Sequence, residues 1–281
     1  MFEPTDQLAD VARLAEEHGF EGIGLADHVV VPEGFRSVHP SGDNPFAPSS
    51  SFPDPLTSIA TMAAATSRLR FMTYVYVLPL REPFSVAKQV ATVAMLSGYR
   101  VALGAGAGWL VEEMEVMGRD AAARGRRMDE MLAVIRDFWD DGYAELHGEF
   151  FDFGRSAMFP VPEQRIPVWI GGKSDAALRR AVVADGWLGM NYDLDEVGAL
   201  LDRLRAMRKA EGDDREDFEV FVIANAEPTV DLYRGLEDRG VTSTMGMPWY
   251  PGDPAHASLD AKRAALERFH ERLIAPLESP S

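Results

Sequence analysis

The sequence has no cysteine. That excludes disulfides, thiolate metal sites and cysteine nucleophiles, and it agrees with a reducing cytoplasm, which is the expected location. Long hydrophobic runs are also missing. No stretch approaches the ~20 apolar residues that a membrane span needs, and the opening "MFEPTDQLAD" shows neither the basic region nor the apolar core of a signal peptide. Positive charge is scarce: 28 Lys and Arg stand against 45 Asp and Glu, a net charge of −17. Nucleic-acid backbones and acidic membrane surfaces are therefore not expected partners, and a small-molecule substrate is. No H-x-H, H-E-x-x-H or carboxylate cluster offers metal-ligand spacing, so no metal site is expected.

What is present is a hydrophobic share of 46%, ample for a large core, arranged as amphipathic helices alternating with short apolar strands. "TDQLADVARLAEEHG" places Leu8, Val11, Ala12, Leu14 and Ala15 on one face, with Thr5 or Asp6 as N-cap and Gly19 as the stop. Seven strands are expected, in "EGIGLA", "RLRFMTYVYVLPL", "YRVALGAG", "IPVWIGG", "GWLGM", "FEVFVIANAE" and "VTSTMGMPW". Near-continuous apolar strands between helices imply a parallel sheet with a covered outer face. The expected fold is a single domain over residues 1–281, an α/β TIM barrel of the (β/α)8 type with its first strand truncated or missing. Only "MFEP" precedes the first helix, shorter than an ordinary strand of ~5 residues. A doubly wound open sheet is the competing architecture.

Two segments break the rhythm. Residues 32–55, rich in Pro, Ser and Gly, follow Asp27-His28; residues 142–166 form a second irregular insertion. Structureless loops beyond ~12–15 residues are uncommon unless functional or disordered, and in a barrel the first would follow the C-terminal end of a strand, where active sites lie. There an imidazole at His28 could exchange a proton, with the Asp27 carboxylate stabilising its cation. The bland alternative is a loop-start pair satisfying backbone groups.

Three further motifs carry chemistry. "LGAGAGW" spaces Gly104, Gly106 and Gly108 as G-x-G-x-G, which admits either close approach of a flat ligand or a bulge in a crowded barrel, and is not a dinucleotide fingerprint. "WIGGKSDAALRRA" sets Gly171, Gly172 and Lys173 before Ser174 as a helix N-cap, the parts of a phosphate cradle. In "TYVYVLP", Tyr74 and Tyr76 alternate with Val75 and Val77, so one face could support a ring or simply fill the core. His39, His147 and His256 read as surface residues, and His18 and His270 as solvated.

In this order the motifs resemble the luciferase-like monooxygenase superfamily, especially its branch that depends on the deazaflavin coenzyme F420. "LADHVVVPE", the run from "DPLTSIATM" to "EVMG", and "IPVWIGGKSDAALRRAVVADGW" carry the match. The resemblance implies a barrel with the flavin or deazaflavin ring at its C-terminal mouth, and often a homodimer. It implies that Asp27 contacts the cofactor and that His28 lies beside the reacting ring. It also implies that Tyr74-Val75 forms a bulge, often with a non-proline cis peptide, behind the ring. Gly104, Gly106 and Gly108 would line the ring, and Gly171, Gly172, Lys173 and Ser174 would hold the phosphate. Two departures stand out: a small residue of the family is Tyr74 here, and the family's full first strand is not seen before Thr5. The implied activity is hydride transfer between F420 and a small organic substrate. An FMN-dependent two-component monooxygenase, a cofactor-free barrel, and a phosphate-binding aldolase or hydrolase are the alternatives.

Overall fold

Pro4 leads into a 3-10 turn over Thr5–Gln7, and α1 (Leu8–Glu17) follows, burying the predicted face of Leu8, Val11, Ala12, Leu14 and Ala15. The turn takes up Thr5 and Asp6, so neither caps the helix; Gln7 occupies the cap position without a side-chain bond. The computed structural model describes residues 4–42, 44, 46–250 and 252–278. Among them the strands are β1 (Gly22–Leu25), β2 (Arg70–Thr73), β3 (Tyr76–Val77), β4 (Val101–Gly106), β5 (Tyr143–His147), β6 (Asp152–Ala157), β7 (Val168–Gly171), β8 (Gly186–Tyr192) and β9 (Glu219–Ala224). The main sheet runs β1-β2-β4-β7-β8-β9, every pairing parallel, with β3 also on β4. Parallel order requires a crossover after each strand, and the helices supply it.

Those helices are α2 (Pro55–Ala64), α3 (Pro83–Leu96), α4 (Val111–Val116), α5 (Arg124–Asp140), α6 (Asp175–Val183), α7 (Leu194–Ala210), α8 (Val230–Glu237), α9 (Leu259–Phe269) and α10 (Ala275–Glu278). The apolar faces of α1, α2, α3, α5, α6, α7 and α8 meet the sheet in one large core. A smaller cluster of Met72, Ala102, Leu188 and Phe221, with Tyr74, Val75, Ile223 and Met245 against it, fills the inside of the curl. This is a (β/α) barrel of TIM type with one strand position open. Among the described residues no helix is long and apolar enough to cross a membrane.

Three expectations are corrected. The long run "RLRFMTYVYVLPL" is not one strand. Phe71 pairs with Val101, but Tyr76 pairs with Ala105, so one extra residue is inserted at the Tyr74–Val75 cis peptide, a β-bulge that divides β2 from β3. The irregular insertion at 142–166 contains the antiparallel hairpin β5–β6. "VTSTMGMPW" forms only an isolated parallel bridge, Phe221 to Ser243. Thr242 explains the loss, since its hydroxyl accepts the Val220 N–H at 2.8 Å and so competes with the backbone ladder.

The open strand position lies between β1 and this bridge. Residues 1–3, where a truncated first strand would begin, lie outside the described residues, and no strand precedes α1 among those described. Side chains occupy the space instead: a Cβ on Gly24 would come within 2.7 Å of Met245 Cε, and Phe269 packs against Gly246 and, at 5.4 Å, on Phe20. His18 and His270 are half-buried here rather than solvated, with His270 Nδ1 donating to the His18 carbonyl at 3.0 Å.

Glu16 of α1 accepts the backbone N–H groups of Arg68 (2.6 Å), Leu69 (2.8 Å) and Ser67 (3.0 Å). Partial burial pushes its carboxyl up, but these three donors outweigh it and hold it at about 2. A depressed folded pKa stabilises above the unfolded value and is lost as pH falls toward 2. Glu16→Gln should therefore cost about 1 kcal/mol near neutral pH. The deficit should shrink below pH ~4.5 in thermal unfolding measured against pH.

Candidate functional site

Because the strands are parallel, their C-terminal ends open on one face, where the candidate residues gather: Gly104, Gly106 and Gly171 inside β4 and β7, and Asp27, His28, Tyr74, Val75, Gly108, Gly172, Lys173 and Ser174 beyond a strand end. Asp27 follows β1 and is almost fully buried. Its two oxygens take a bidentate guanidinium from Arg81 at 2.7 and 2.8 Å, and Oδ2 also accepts the Val77 N–H at 2.8 Å. Burial raises its pKa, while Arg81 and the Val77 N–H oppose that rise; the forked pair keeps the carboxylate charged. Arg81 lies 4.0 Å above the Tyr76 ring. Asp27 thus ties the end of β1 to β3, just beyond the bulge.

Val75, at the bulge, packs against the inner cluster between β4 and β7. Glycines make room for it: a Cβ on Gly106 would stand 2.6 Å from Val75 Cγ2, and one on Gly171 2.7 Å from Val75 Cγ1. Gly104 gives the same clearance to the Thr73 carbonyl, while Gly108 sits against Met114 and Val77. Tyr74 turns into the barrel, packs 5.2 Å from Phe221, and donates its hydroxyl to the Gly189 carbonyl at 2.7 Å; burial pushes its pKa up.

His28 points the other way. Its Nδ1 lies 2.7 Å from Oε2 of Glu113, which is almost completely buried; Glu113 Oε1 accepts the Val29 and Val30 N–H groups at 2.6 and 3.2 Å. The carboxylate oxygen accepts in this bond, so Nδ1 is its donor. Nε2 then remains without a hydrogen-bond partner among the described residues. Next door, Glu112 accepts from Arg36 N, Ser37 N and Ser37 Oγ at 2.8, 3.2 and 2.6 Å, contacts that hold its carboxyl at about 2. The first turn of α4 therefore clamps the start of the long loop at two points.

Neither carboxylate was anticipated from sequence. The available signal was a pair of acids in the first turn of a short helix soon after "LGAGAGW", where a helix dipole favours negative charge.

The same loop brings rings onto His28. Phe46 and Phe52 lie 4.8 and 4.9 Å from its ring and Trp109 5.9 Å away. His39 is no surface residue: it stands 5.1 Å from Trp109, and burial together with His28 lowers its pKa.

At the end of β7, Gly172 adopts φ +124°, open only to glycine without strain, and accepts the Trp187 indole N–H at 2.8 Å. Ser174 caps α6 through Ala177 N at 3.2 Å. Lys173 is already paired, its Nζ 2.9 Å from Glu196 Oε1 and 5.2 Å from the centre of the Tyr192 ring. The apolar bulge and close glycine backbones fit the ring end of a flavin-type group. The loop fits a phosphate of low charge, since its one cation is paired with Glu196.

A family model for luciferase-like monooxygenases matches residues 3–230. The chain belongs to the luciferase-like monooxygenase family. An uncharacterised protein of Mycobacterium tuberculosis strain H37Rv is 38% identical over 271 residues, 94% of this chain and 93% of that protein. The F420-dependent glucose-6-phosphate dehydrogenase of Microbacterium testaceum is 28% identical over 187 residues, 65% of this chain and about half (52%) of the relative. In fold, the coenzyme F420 dependent tetrahydromethanopterin reductase from Methanopyrus kandleri superposes with a TM-score of 0.74 at 16% identity, over 98% of this chain and 96% of that one. As a luciferase-like barrel, the chain holds its mouth together with Asp27–Arg81 on one side and Glu113 on the other. Glu113→Ala leaves three part-buried donors without their acceptor and should cost about 2 kcal/mol in chemical denaturation. Glu113→Gln, which keeps one carbonyl acceptor, should cost less.

Proposed function

We propose that this luciferase-like protein is an oxidoreductase that binds the deazaflavin coenzyme F420 at the mouth of its single barrel and works on a small organic substrate. The observation that carries the reading is the His28–Glu113 pair: one ring nitrogen fixed by a buried carboxylate, the other unengaged at the end of β1. Bound F420 would supply hydride-transfer chemistry, the part that a cofactor brings. Val75 would buttress its ring, with the backbones of Gly104, Gly106 and Gly171 close by, and Gly172, Lys173 and Ser174 would face its phosphate. His28 would give or take a proton at Nε2. Glu113 would hold the imidazole in one tautomer and stabilise its cation. The rings over His28, whose side chain is 7% exposed, would exclude water from that transfer. Asp27, engaged with Arg81, would position the bulge.

The F420-dependent relatives support the choice of cofactor, and so does charge. A phosphodiester such as that of F420 carries a single negative charge, whereas the terminal phosphate of FMN carries nearly two. A cradle whose lysine is paired with Glu196 suits the former. The family also contains monooxygenases, so an FMN enzyme is the second reading.

Fluorescence titration with each cofactor tests this. F420 should bind at least tenfold more tightly than FMN; tighter FMN binding would move the protein to the second reading, and saturation by neither would make it a cofactor-free barrel. His28→Ala should slow turnover by about 10²-fold or more while changing F420 affinity less than threefold. The opposite pattern would reassign His28 to anchoring.

A further inference from the structure

The rings at the mouth form a group of their own. Phe35, Phe46 and Phe52 come from the long loop, Trp109 from the turn after β4, and His28 and His39 complete the set. Phe35 and Phe46 lie 6.1 and 5.8 Å from Trp109, and Phe46 meets Phe52 edge-on at 4.9 Å. All of the Phe and Trp members are half-buried, so each keeps part of its ring surface uncovered in a place where the barrel core does not reach. Four partly open aromatic faces beside one imidazole make a wall suited to a flat or greasy ring.

The charges around the wall are already engaged. His28 is paired with Glu113, Asp27 with Arg81, and Glu112 with Ser37. His39 directs Nδ1 to the Ser41 hydroxyl at 2.6 Å, and its burial favours the neutral imidazole. Glu33 and Arg36 are exposed on the same loop with opposite signs. A phosphorylated or carboxylated substrate would find Arg36 as the loop's one lysine or arginine, exposed rather than buried among the rings and with Glu33 of opposite sign on the same loop; burying an unpaired anion against the rings is costly. An uncharged ring loses little on leaving water and gains ring–ring contact.

We propose that Phe35, Phe46, Phe52 and Trp109 form the substrate wall of the mouth, and that the substrate is an uncharged aromatic or alicyclic molecule rather than a sugar phosphate or other anion. This rests on the proposed function in that the wall serves the same mouth, but the wall binds its ring without cofactor. Trp109 and Phe46 then act as specificity residues, setting which molecule lies beside His28 Nε2. The loop takes part in selection, because its residues supply most of the wall.

Equilibrium dialysis of the full-length protein without cofactor, using menadione and 2-naphthaldehyde as uncharged probes and glucose 6-phosphate as the anionic one, tests the assignment. At least one uncharged probe should bind saturably and at least tenfold more tightly than glucose 6-phosphate. Phe46→Ala and Trp109→Ala should each weaken it by about tenfold. Phe46, on the exposed loop, guards against a folding defect at Trp109, and circular dichroism checks both variants. Equal or tighter binding of glucose 6-phosphate, no saturable binding of the uncharged probes, or affinity unmoved by both substitutions would each overturn the proposal. If F420 fails to bind while the ring probes bind as expected, the cofactor reading falls and the wall stands.

Discussion

The mouth depends on one extra residue. Inserting Val75 between β2 and β3 forces the chain out of register along β4, and the side chain lands against Gly106 and Gly171. Two consequences follow from sterics alone. The facing positions on β4 and β7 have to lack a Cβ, which Gly106 and Gly171 satisfy. The displaced backbone also needs a new partner for the Val77 N–H, which the Asp27 carboxylate provides. Asp27 is then a buried charge that requires a counter-ion, and Arg81 supplies it from the turn after β3. The glycines, the aspartate and the arginine are parts of one solution to one insertion.

A second constraint builds the other wall. The loop after β1 leaves a sheet edge with free N–H groups at Val29, Val30, Arg36 and Ser37, and neighbouring carboxylates on α4 accept them from two sides. Clamping these residues sets His28 and swings the aromatic part of the loop over it. Despite a net charge of −17, the buried acids of the mouth are therefore engaged with specific donors. What is left without a polar partner is apolar ring surface and one imidazole nitrogen under it, an arrangement suited to guarding a reacting ring from water.

Much of this was legible in the sequence. The βα alternation located the strands and the face of α1, and the family resemblance placed the bulge at Tyr74–Val75, where the cis peptide lies. The glycines of "LGAGAGW" left two meanings open, close ligand approach or a crowded bulge, because spacing cannot say which atoms will press against a missing Cβ. The strand at 241–249 was overread because alternation ignores side chains that bond backbone, as Thr242 does. Glu113, Arg81 and the ring wall were missed for a common reason. Each acts on a partner far away in the chain, 85 positions from His28 in the case of Glu113, and a single sequence carries no record of that pairing. The same applies to Lys173: its place after Gly171-Gly172 suggests a phosphate cradle, but nothing in the sequence points to its partner Glu196, 23 residues on.

The central claim is that a deazaflavin ring belongs against the Val75 bulge, with its phosphate at the end of β7. Hydrogen–deuterium exchange of the full-length protein, with and without saturating oxidised F420, tests this most directly because it needs no substrate. Slowed exchange concentrated in residues 75–77, 104–109 and 171–174 is the predicted result. Protection that spares these three segments, or no change at all at saturating F420, would contradict it.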